Sequence, residues 1–397
     1  MLLPIFVLCA PAVIVAAVGL FAGLFFLSRV SLPRVQRTGK VTLILPLTGK
    51  SMGLVKLLNT LESQTLRPRR LLICVEDEHD PAYLTASQLA KTAHIPVEVV
   101  VASQATECAQ KCSNQMAGLS RIDADDEVVV LLDGDIRPPS WWLSALTTPI
   151  LDNSADIVTG YRWPMLETQR ASTPVSVQLA FHFLASIDRG IALLPRLGRF
   201  QVTWGGTLAI SPRALERLGM AQVLAYTLSD DCTIGSRASA LGLRILTRSA
   251  LLVPTPTDHG LVALCRFGHR QYQIIRVYRP QLWWLALLAQ SSRVVAWVVV
   301  FLNPQQLWAH TTGAALLFFA LAGVLVQAAV AHRLGLRDSR SQTVLQVALV
   351  LFKPVVDIFH WALIVAAFDS CVIRWGHLTY RIDAPEKVAV VARTPWR

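Results

Sequence analysis

The chain is poor in charged residues and in cysteines, and each shortage excludes a class of protein. Only 16% of the 397 residues are charged while 53% are hydrophobic, which excludes an ordinary soluble protein. The seven cysteines are scattered, and Cys9 and Cys371 lie in or beside apolar runs. We therefore expect free thiols in a reducing compartment instead of a disulfide framework. An integral membrane protein with one sizeable soluble domain fits this composition best.

Acidic residues are missing from the N-terminal region. Pro4 to Leu27 carries no charge and is long enough to span a bilayer. It lacks the positive n-region of a signal peptide, so residues 1–30 are predicted to form an uncleaved transmembrane anchor. All charged residues before the first acidic one, Glu62, are basic. This predicts that the segment after the anchor lies on the cytoplasmic side of the membrane. These basic residues are Arg29, Arg34, Arg37 and Lys40 among others.

The middle of the chain, residues 38–257, has the pattern of a cytoplasmic α/β domain. Apolar strand segments alternate with helical ones, which predicts a mostly parallel sheet with right-handed crossovers. A helix is predicted over Gly53–Leu66. The predicted strands are Val41–Pro46, Leu71–Val75, Pro96–Val101 and Glu127–Leu132.

The last of these strands runs directly into two aspartates separated by one glycine. Its Val/Leu run is typical of a strand covered on both faces, and ligands bind at the carboxyl ends of such strands. Two hard oxygen ligands there suit Mg²⁺ or Mn²⁺ that also holds a diphosphate. Asp133 and Asp135 are therefore candidate metal ligands of a sugar-nucleotide site. A plain strand-end turn is the alternative.

A second acidic pair, Asp230 and Asp231, begins a predicted helix shortly after Gly205 and Gly206. A carboxylate at this place could be the general base that takes a proton from an acceptor hydroxyl, or an ordinary helix N-cap. The paired glycines would let a donor sugar approach the backbone closely, or would simply form a tight turn.

Residues 258–281 combine four arginines with interleaved aromatic residues, and Asp258 is the last acidic residue of this segment. This pattern predicts a helix lying on an anionic membrane surface, so the net charge of +11 does not call for nucleic acid. Gln273 and Arg276 share one face of that helix. Arg276 could stabilise the charge of a departing diphosphate, or merely contact lipid headgroups.

Three apolar runs follow within residues 282–371, at about 282–302, 307–331 and 344–370. We expect the third to be broken or re-entrant at Pro354, which returns a basic tail, residues 372–397, to the cytoplasm. The competing possibility is that the first run lies in the membrane interface.

Taken together, these motifs resemble those of family 2 membrane glycosyltransferases, specifically the ceramide glucosyltransferase branch and its bacterial relatives. The likeness covers nearly the whole chain. Val277 stands where the family has tryptophan, and Asp230 stands where it usually has glutamate, which leaves open which carboxylate is the base. The matching segments are Val75–Ala82, Asp133–Asp135, Ser229–Asp231, Gln273–Val277 and Arg374–Arg381.

The resemblance implies a GT-A, Rossmann-like nucleotide-diphospho-sugar transferase domain with an N-terminal anchor and C-terminal transmembrane or interfacial helices. It also implies an inverting hexosyl transfer from a nucleotide-diphospho-sugar, expected to be UDP-linked, to the hydroxyl of a ceramide-like or hopanoid-like membrane lipid. The reaction would take place on the cytoplasmic face of a bacterial inner membrane. The implied acceptor classes make glycolipid and sphingolipid synthesis the expected setting.

The same resemblance implies roles for single residues. Asp133 and Asp135 would hold Mg²⁺ or Mn²⁺, Asp231 would be the base with Asp230 as the alternative, and Gln273 and Arg276 would contact the diphosphate or the acceptor. The further donor-site residues are Pro46, Glu76, Asp77, Lys111, Asn114, Gly205 and Gly206.

Three other functions compete with this interpretation. A processive polysaccharide synthase shares the domain, but three or four imperfect spans and the missing tryptophan at 277 argue against a polymer channel. A polyprenyl-phosphate sugar transferase is a second alternative, and an inactive membrane scaffold is a distant third. The sequence leaves the donor sugar, the lipid acceptor and the oligomeric state open.

Overall fold

The computed structural model describes residues 2–33, 38–51, 53–167, 173–195, 202–336 and 338–396, with side chains from Val7 onward. The predicted basic residues Arg34 and Arg37 lie outside this described part. The chain divides into two compact units. The helical unit consists of Met1–Leu32, Trp163–Pro195 and Thr257–Ser370, and the sheet unit of Pro33–Arg162, Arg196–Pro256 and Cys371–Arg397.

A seven-stranded mixed sheet forms the centre of the sheet unit, with strand order β3-β2-β1-β4-β6-β5-β7. Strands β1 to β4 are parallel, and β6 runs antiparallel to both of its neighbours. The strands are β1 (Val41–Pro46), β2 (Arg70–Val75), β3 (Val97–Val101), β4 (Val128–Leu132), β5 (Ile157–Leu166), β6 (Thr207–Ile210) and β7 (Ile245–Thr257). The α/β class is confirmed, and the four predicted strands agree with β1 to β4 to within one residue.

Helices cover the sheet and form the helical unit. They are α1 (Leu2–Arg29), α2 (Leu54–Glu62), α3 (Pro81–Ala90), α4 (Gln110–Leu119), α5 (Trp142–Leu151), α6 (Val175–Ala192), α7 (Pro212–Leu218), α8 (Met220–Leu224), α9 (Asp230–Ala240), α10 (Leu261–Tyr278), α11 (Pro280–Leu302), α12 (Leu307–Leu334), α13 (Arg340–Leu349) and α14 (Lys353–Ala366). Strand β4 is completely buried, as its Val/Leu run predicts for a central parallel strand.

Four segments of the helical unit are long and apolar enough to cross a membrane: Val7–Arg29, Pro280–Leu302, Leu307–Leu334 and Arg340–Ala366. Helix α1 packs against α11 and α12 through a small apolar cluster around Cys9, Ala12 and Trp297. All seven cysteines are free thiols, as predicted.

The third predicted apolar run is interrupted, but only by a short 3-10 turn. Helix α13 ends at Leu349, the turn occupies Val350–Phe352, and α14 begins at Lys353. Pro354 therefore lies in the first turn of α14, where its missing N–H breaks no helical hydrogen bond. The re-entrant course of this run stays a prediction, as does the position of α10 on a membrane surface.

The C-terminal segment differs most from its prediction. It is a folded part of the sheet unit, whereas the sequence predicted a basic tail over 372–397. It forms an antiparallel sheet of order β10-β9-β8, with strands β8 (Val372–Trp375), β9 (Leu378–Ala384) and β10 (Lys387–Arg393). Ile373, Tyr380 and Ile382 are almost fully buried, because alternate residues of these strands face inward. Within the segment predicted as one domain, 38–257, Trp163–Pro195 groups with the helical unit.

Candidate active site

The Asp133-Gly134-Asp135 motif follows β4 directly, so its two aspartates lie at the carboxyl edge of the parallel strands. Asp133 is 31% exposed, and Asp135 lies at the exposed rim. A Cβ at Gly134 would lie 2.8 Å from a methyl carbon of Leu47, so a larger residue there would have to push the Leu47 side chain aside. Both carboxyl groups are thus available at the edge where ligands bind.

Lys111 joins this motif to the second acidic pair. Its Nζ lies 2.8 Å from Asp133 Oδ1 and 3.1 Å from Asp230 Oδ2. One turn further along α4, Gln115 Nε2 donates a 2.7 Å hydrogen bond to the same Asp230 oxygen. Although burial works against its charge, the pKa of Lys111 is held well above its ordinary value by Asp133, Asp230 and Asp231. Helix α4 therefore brings two motifs almost a hundred residues apart into one charged cluster.

The two neighbouring aspartates of α9 have different surroundings. Asp230 is 2% exposed and is held by Lys111 and Gln115. Asp231 is half-buried; it accepts hydrogen bonds from Ser229 Oγ at 2.6 Å, from the Cys232 amide at 2.7 Å and from the Gly205 amide at 3.2 Å. Burial and the adjacent Asp230 carboxylate raise the pKa of Asp231. Asp231 is consequently the better candidate for a proton acceptor, while Asp230 is committed to the lysine.

The sequence leaves open the alternative that one of these aspartates is the N-cap of α9, and neither aspartate occupies that position. Ser229 occupies the N-cap position, and Asp230 and Asp231 lie in the first helical turn. Carboxylates are favoured there by the unpaired N–H groups and the positive end of the helix dipole.

Gly205 packs against the Lys111–Asp230 ion pair, and the predicted approach of a donor sugar to this glycine stays a prediction. A Cβ at this position would lie 2.8 Å from Asp230 Oδ2 and 2.9 Å from Lys111 Nζ. The ion pair therefore packs directly on the backbone of Gly205, whose amide binds Asp231. The neighbouring Gly206 leaves room for the ring of Trp204, which would lie 2.3 Å from an added Cβ. The two glycines support the aspartates of α9.

The acidic segment after β2 is organised by hydrogen bonds and ion pairs of its own. Glu76 is 1% exposed, pairs with Arg393 and lies 3.0 Å from His377 Nε2. The buried Glu76 side chain therefore cannot make its predicted contact with a nucleotide. Asp80 caps α3 and accepts 2.8 Å hydrogen bonds from the amides of Ala82 and Gly49.

Asp77 keeps a partly exposed carboxyl group, 30% accessible to solvent. It accepts hydrogen bonds from the His79 amide at 2.7 Å and from Gln104 Nε2 at 3.4 Å. Partial burial opposes them, but these hydrogen bonds leave the pKa of Asp77 below its ordinary value. Asp77 thus stays a candidate for contact with the nucleotide.

Asn114, another predicted donor-site residue, holds strand ends in place. Its Nδ2 donates to the carbonyl oxygens of Leu47 at 2.8 Å and Cys74 at 3.1 Å, and its Oδ1 accepts from Gln110 Nε2 at 2.9 Å. Asn114 therefore fixes the carboxyl ends of β1 and β2 relative to each other. Pro46 is the half-buried last residue of β1 and lies beside this contact.

Gln273 and Arg276 lie on α10 in the helical unit. Gln273 Nε2 donates to Ser370 Oγ at 2.6 Å, and Arg276 Nη2 donates to the Ser370 carbonyl at 3.0 Å. Both side chains thus contact one residue at the end of the helical unit, as their shared helix face predicts. Their predicted contact with a diphosphate or acceptor stays a prediction.

Asp133 and Asp135 fit a small divalent cation. They offer hard oxygen donors on either side of Gly134, and their negative charges repel each other. A dication would relieve this repulsion between like charges. Within the described residues no group of three or more His, Cys, Asp or Glu side chains is placed to hold a metal. Two carboxylates completed by substrate phosphates and water are a common arrangement for Mg²⁺.

A comparison of the sequence with protein families decides the assignment. The profile of Glycosyl transferase family 21 matches residues 6–388. The chain belongs to this family. The predicted resemblance to ceramide glucosyltransferases is thereby confirmed, and the chain is a nucleotide-sugar glycosyltransferase enzyme. A search of curated proteins gave no significant match.

Solved structures resemble this family 21 glycosyltransferase only distantly. A mannosyltransferase from Pyrobaculum calidifontis, in complex with GDP-Man and Mn²⁺, is 16% identical with a TM-score of 0.47, covering 91% of this chain and 97% of that chain. Glucosyl-3-phosphoglycerate synthase from Mycobacterium tuberculosis, in complex with Mn²⁺, UDP and glucosyl-3-phosphoglycerate, is 13% identical with a TM-score of 0.37, covering 60% and 79%. Both are transferases, and the predicted GT-A class agrees with the mixed sheet described above.

The sequence missed the partners of two predicted residues in this glycosyltransferase. Gln115 lies one helical turn after Lys111, so its spacing could have identified it as a partner of the same site. Arg393 and His377 lie about three hundred residues from Glu76, and no sequence pattern connects them.

Proposed function

We propose that this glycosyltransferase transfers one sugar, with inversion, from a nucleotide-diphospho-sugar to the hydroxyl of a ceramide-like or hopanoid-like membrane lipid. The observation that carries the proposal is the Lys111 bridge between Asp133 and Asp230. It brings the candidate metal motif and the candidate base into one cluster. Membership of family 21 and four helices long enough to cross a membrane support a lipid acceptor.

The donor is proposed to bind at the ends of β1, β2 and β4. Asp133 and Asp135 would hold Mg²⁺ or Mn²⁺, which supplies positive charge that lowers the cost of the diphosphate's departure. Asp77 and the backbone near Pro46 would contact the nucleoside, expected to be uridine. Lys111 is already committed to two carboxylates, so we assign it the positioning of Asp133 instead of direct contact with the donor.

Asp231 is proposed to accept the proton of the lipid hydroxyl. As that oxygen attacks the anomeric carbon, the O–H bond breaks toward the Asp231 carboxylate, and the bond from the anomeric carbon to the diphosphate oxygen breaks on the opposite face. The hydrogen bonds from Ser229, Cys232 and Gly205 fix the orientation of the carboxylate. Its raised pKa makes it a stronger base than an ordinary aspartate.

The acceptor is proposed to reach this site from the cytoplasmic leaflet of a bacterial inner membrane. Helix α10 carries Arg266, Arg270 and Arg276 and ends at Arg279, a charge pattern that favours anionic headgroups. Gln273 and Arg276 would contact the diphosphate or the acceptor there. The basic residues after α1 support a cytoplasmic sheet unit.

Mass spectrometry of lipids from cells with and without the protein tests this function. We expect one new lipid class that carries a single hexose increment, and we expect it to be absent from cells with Asp231→Asn. The mass that remains after loss of the sugar identifies the acceptor. A ladder of increments would indicate a polysaccharide synthase, and an acid-labile sugar phosphate would indicate a polyprenyl-phosphate transferase. Either result would contradict the proposal.

A further inference from the structure

The C-terminal sheet holds the two loops that flank the end of β2. The first loop, residues 76–80, follows β2, and the second, residues 102–109, follows β3. Arg393 Nη1 pairs with Glu76 in the first loop, and its Nη2 donates to the Ala105 carbonyl in the second. One guanidinium thus clamps both loops, using the fork geometry that only arginine offers.

Further bonds from the same sheet fix the second loop and the start of α4. The Val390 amide donates to the Thr106 carbonyl at 2.8 Å, and the Gln110 amide donates to Tyr380 Oη at 3.1 Å. The side chain of Gln110 in turn accepts from the Ala105 amide at 2.8 Å and donates to Asn114 Oδ1. The C-terminal sheet is therefore connected to the residues that set the ends of β1 and β2.

The first loop depends on this clamp because Glu76 is buried. Its carboxylate is 1% exposed, pairs with Arg393 through one oxygen and lies 3.0 Å from His377 Nε2 on the other side. The ring centroids of His377 and Trp396 are 3.7 Å apart. A buried carboxylate that loses its charged partner is costly, so the loop would rearrange without the arginine. The residue directly after Glu76 is Asp77, whose Oδ2 accepts from Gln104 of the second loop.

We propose that Arg393 is a positioning residue for nucleotide binding, which holds the loop of Asp77 through Glu76 and the loop of Gln104 through Ala105. The proposal rests on the proposed function, because it takes the end of β2 to be the nucleoside side of the donor site. Arg393 touches no reacting atom. Its loss weakens donor binding while the turnover of bound donor by Asp231 is spared.

The test measures the Kd of UDP and of GDP, each with MnCl₂, for the full-length protein in detergent. We expect Arg393→Gln to weaken binding of the preferred nucleotide about tenfold, as loss of a charge-assisted contact predicts. Arg393→Lys keeps the charge but not the fork and should recover part of the affinity. Lys387→Gln is the matched control, since Lys387 is an exposed cation of the same strand and should leave the Kd unchanged.

Steady-state kinetics separate positioning from a general structural defect. The donor KM should rise in Arg393→Gln while kcat stays within about twofold and the acceptor KM is unchanged. The double variant Glu76→Gln/Arg393→Gln should have a nucleotide Kd no higher than that of the single variant that binds less tightly. The two substitutions remove the same Glu76–Arg393 contact, so their effects should not add.

Amide hydrogen exchange distinguishes local loosening of the two loops from a general loss of stability in Arg393→Gln. Amides of 76–80 and 102–109 should exchange faster in Arg393→Gln, while those of β4 keep their protection. Unchanged exchange in both loops, or an unchanged Kd, would overturn the positioning role alone. A wild-type protein that binds neither UDP nor GDP would overturn the proposed function, and the nucleotide role of Arg393 with it.

Discussion

The acidic segments after β2 and after β4 look alike in sequence but are built differently. Both follow buried parallel strands and both end at the same edge of the sheet. After β2, Glu76 and Asp80 are almost fully buried and held by protein partners, and only the Asp77 side chain among the three keeps a partly exposed carboxyl group. After β4, Asp133 is partly exposed and Asp135 lies at the rim. Acidic residues at a strand end therefore do not by themselves make a metal site, because distant partners decide which of them remain open to a ligand.

The largest expected effect is the fall in kcat when the proposed base, Asp231, is removed. Asp231→Asn should lower kcat by about 10²- to 10⁴-fold, since general base catalysis contributes that much. Nucleotide binding should stay within about twofold, because Asp231 is not among the residues proposed to hold the donor. Transfer of labelled sugar to extracted lipid, together with the Kd of UDP, measures both quantities.

The control for this variant is Glu216→Gln, which removes an exposed carboxylate from α7 of the same unit. It should transfer sugar like the wild type. An Asp231→Asn protein that keeps more than about a tenth of its activity would remove this residue from the role of base.

Breaking the Lys111 bridge should cost both stability and activity. Lys111→Met leaves Asp230 buried without its cation, a change that costs about 3–5 kcal/mol in a buried pair. The buried free thiols of Cys74, Cys108 and Cys112 react only on unfolding, so a thiol-reactive dye reports the lowered Tm. Lys91→Met, at the exposed end of α3, should leave Tm unchanged. Equal Tm values for the two variants would contradict the bridge.

The pH dependence of transfer should show the raised pKa of Asp231. The base must be deprotonated to accept a proton, so kcat falls about tenfold per pH unit below its pKa. Because the pKa is raised by burial and by Asp230, this acidic limb should lie above the ordinary aspartate value of about 4. A flat profile down to that value would show that the titrating base is another group.

A smaller effect is expected where the ion pair packs on the backbone. Gly205→Ala places a methyl group less than 3 Å from Lys111 and Asp230, and such overpacking costs about 1–3 kcal/mol. We expect about a tenfold loss of transfer from a misplaced Asp231. Gly190→Ala is the control, since nothing lies within 4 Å of an added Cβ there. Full activity of Gly205→Ala would show that the cluster can shift without consequence.

The central sheet and the metal motif could be predicted because their signals are local. The Val/Leu run of β4 and the aspartates after it stand next to each other, so burial and chemistry are read from one segment. The C-terminal sheet was missed although the buried residues Leu378, Tyr380 and Ile382 of β9 have a clear period of two, because the basic residues of the segment resembled a tail. The roles of Glu76 and Asn114 depend on partners that no local pattern reveals. Asp230 and Asp231 could be told apart only once Lys111 was in place.

The Mn²⁺ dependence of UDP binding in Asp135→Asn decides whether the end of β4 is the metal site. We expect wild type to bind UDP tightly only with Mn²⁺, and we expect Asp135→Asn to lose this dependence because one of the two metal-holding carboxylates is gone. Glu98→Gln, a carboxylate on β3 that pairs with Arg121, should behave like the wild type. If Asp135→Asn still requires Mn²⁺ and binds UDP with unchanged affinity, the end of β4 is not the metal site.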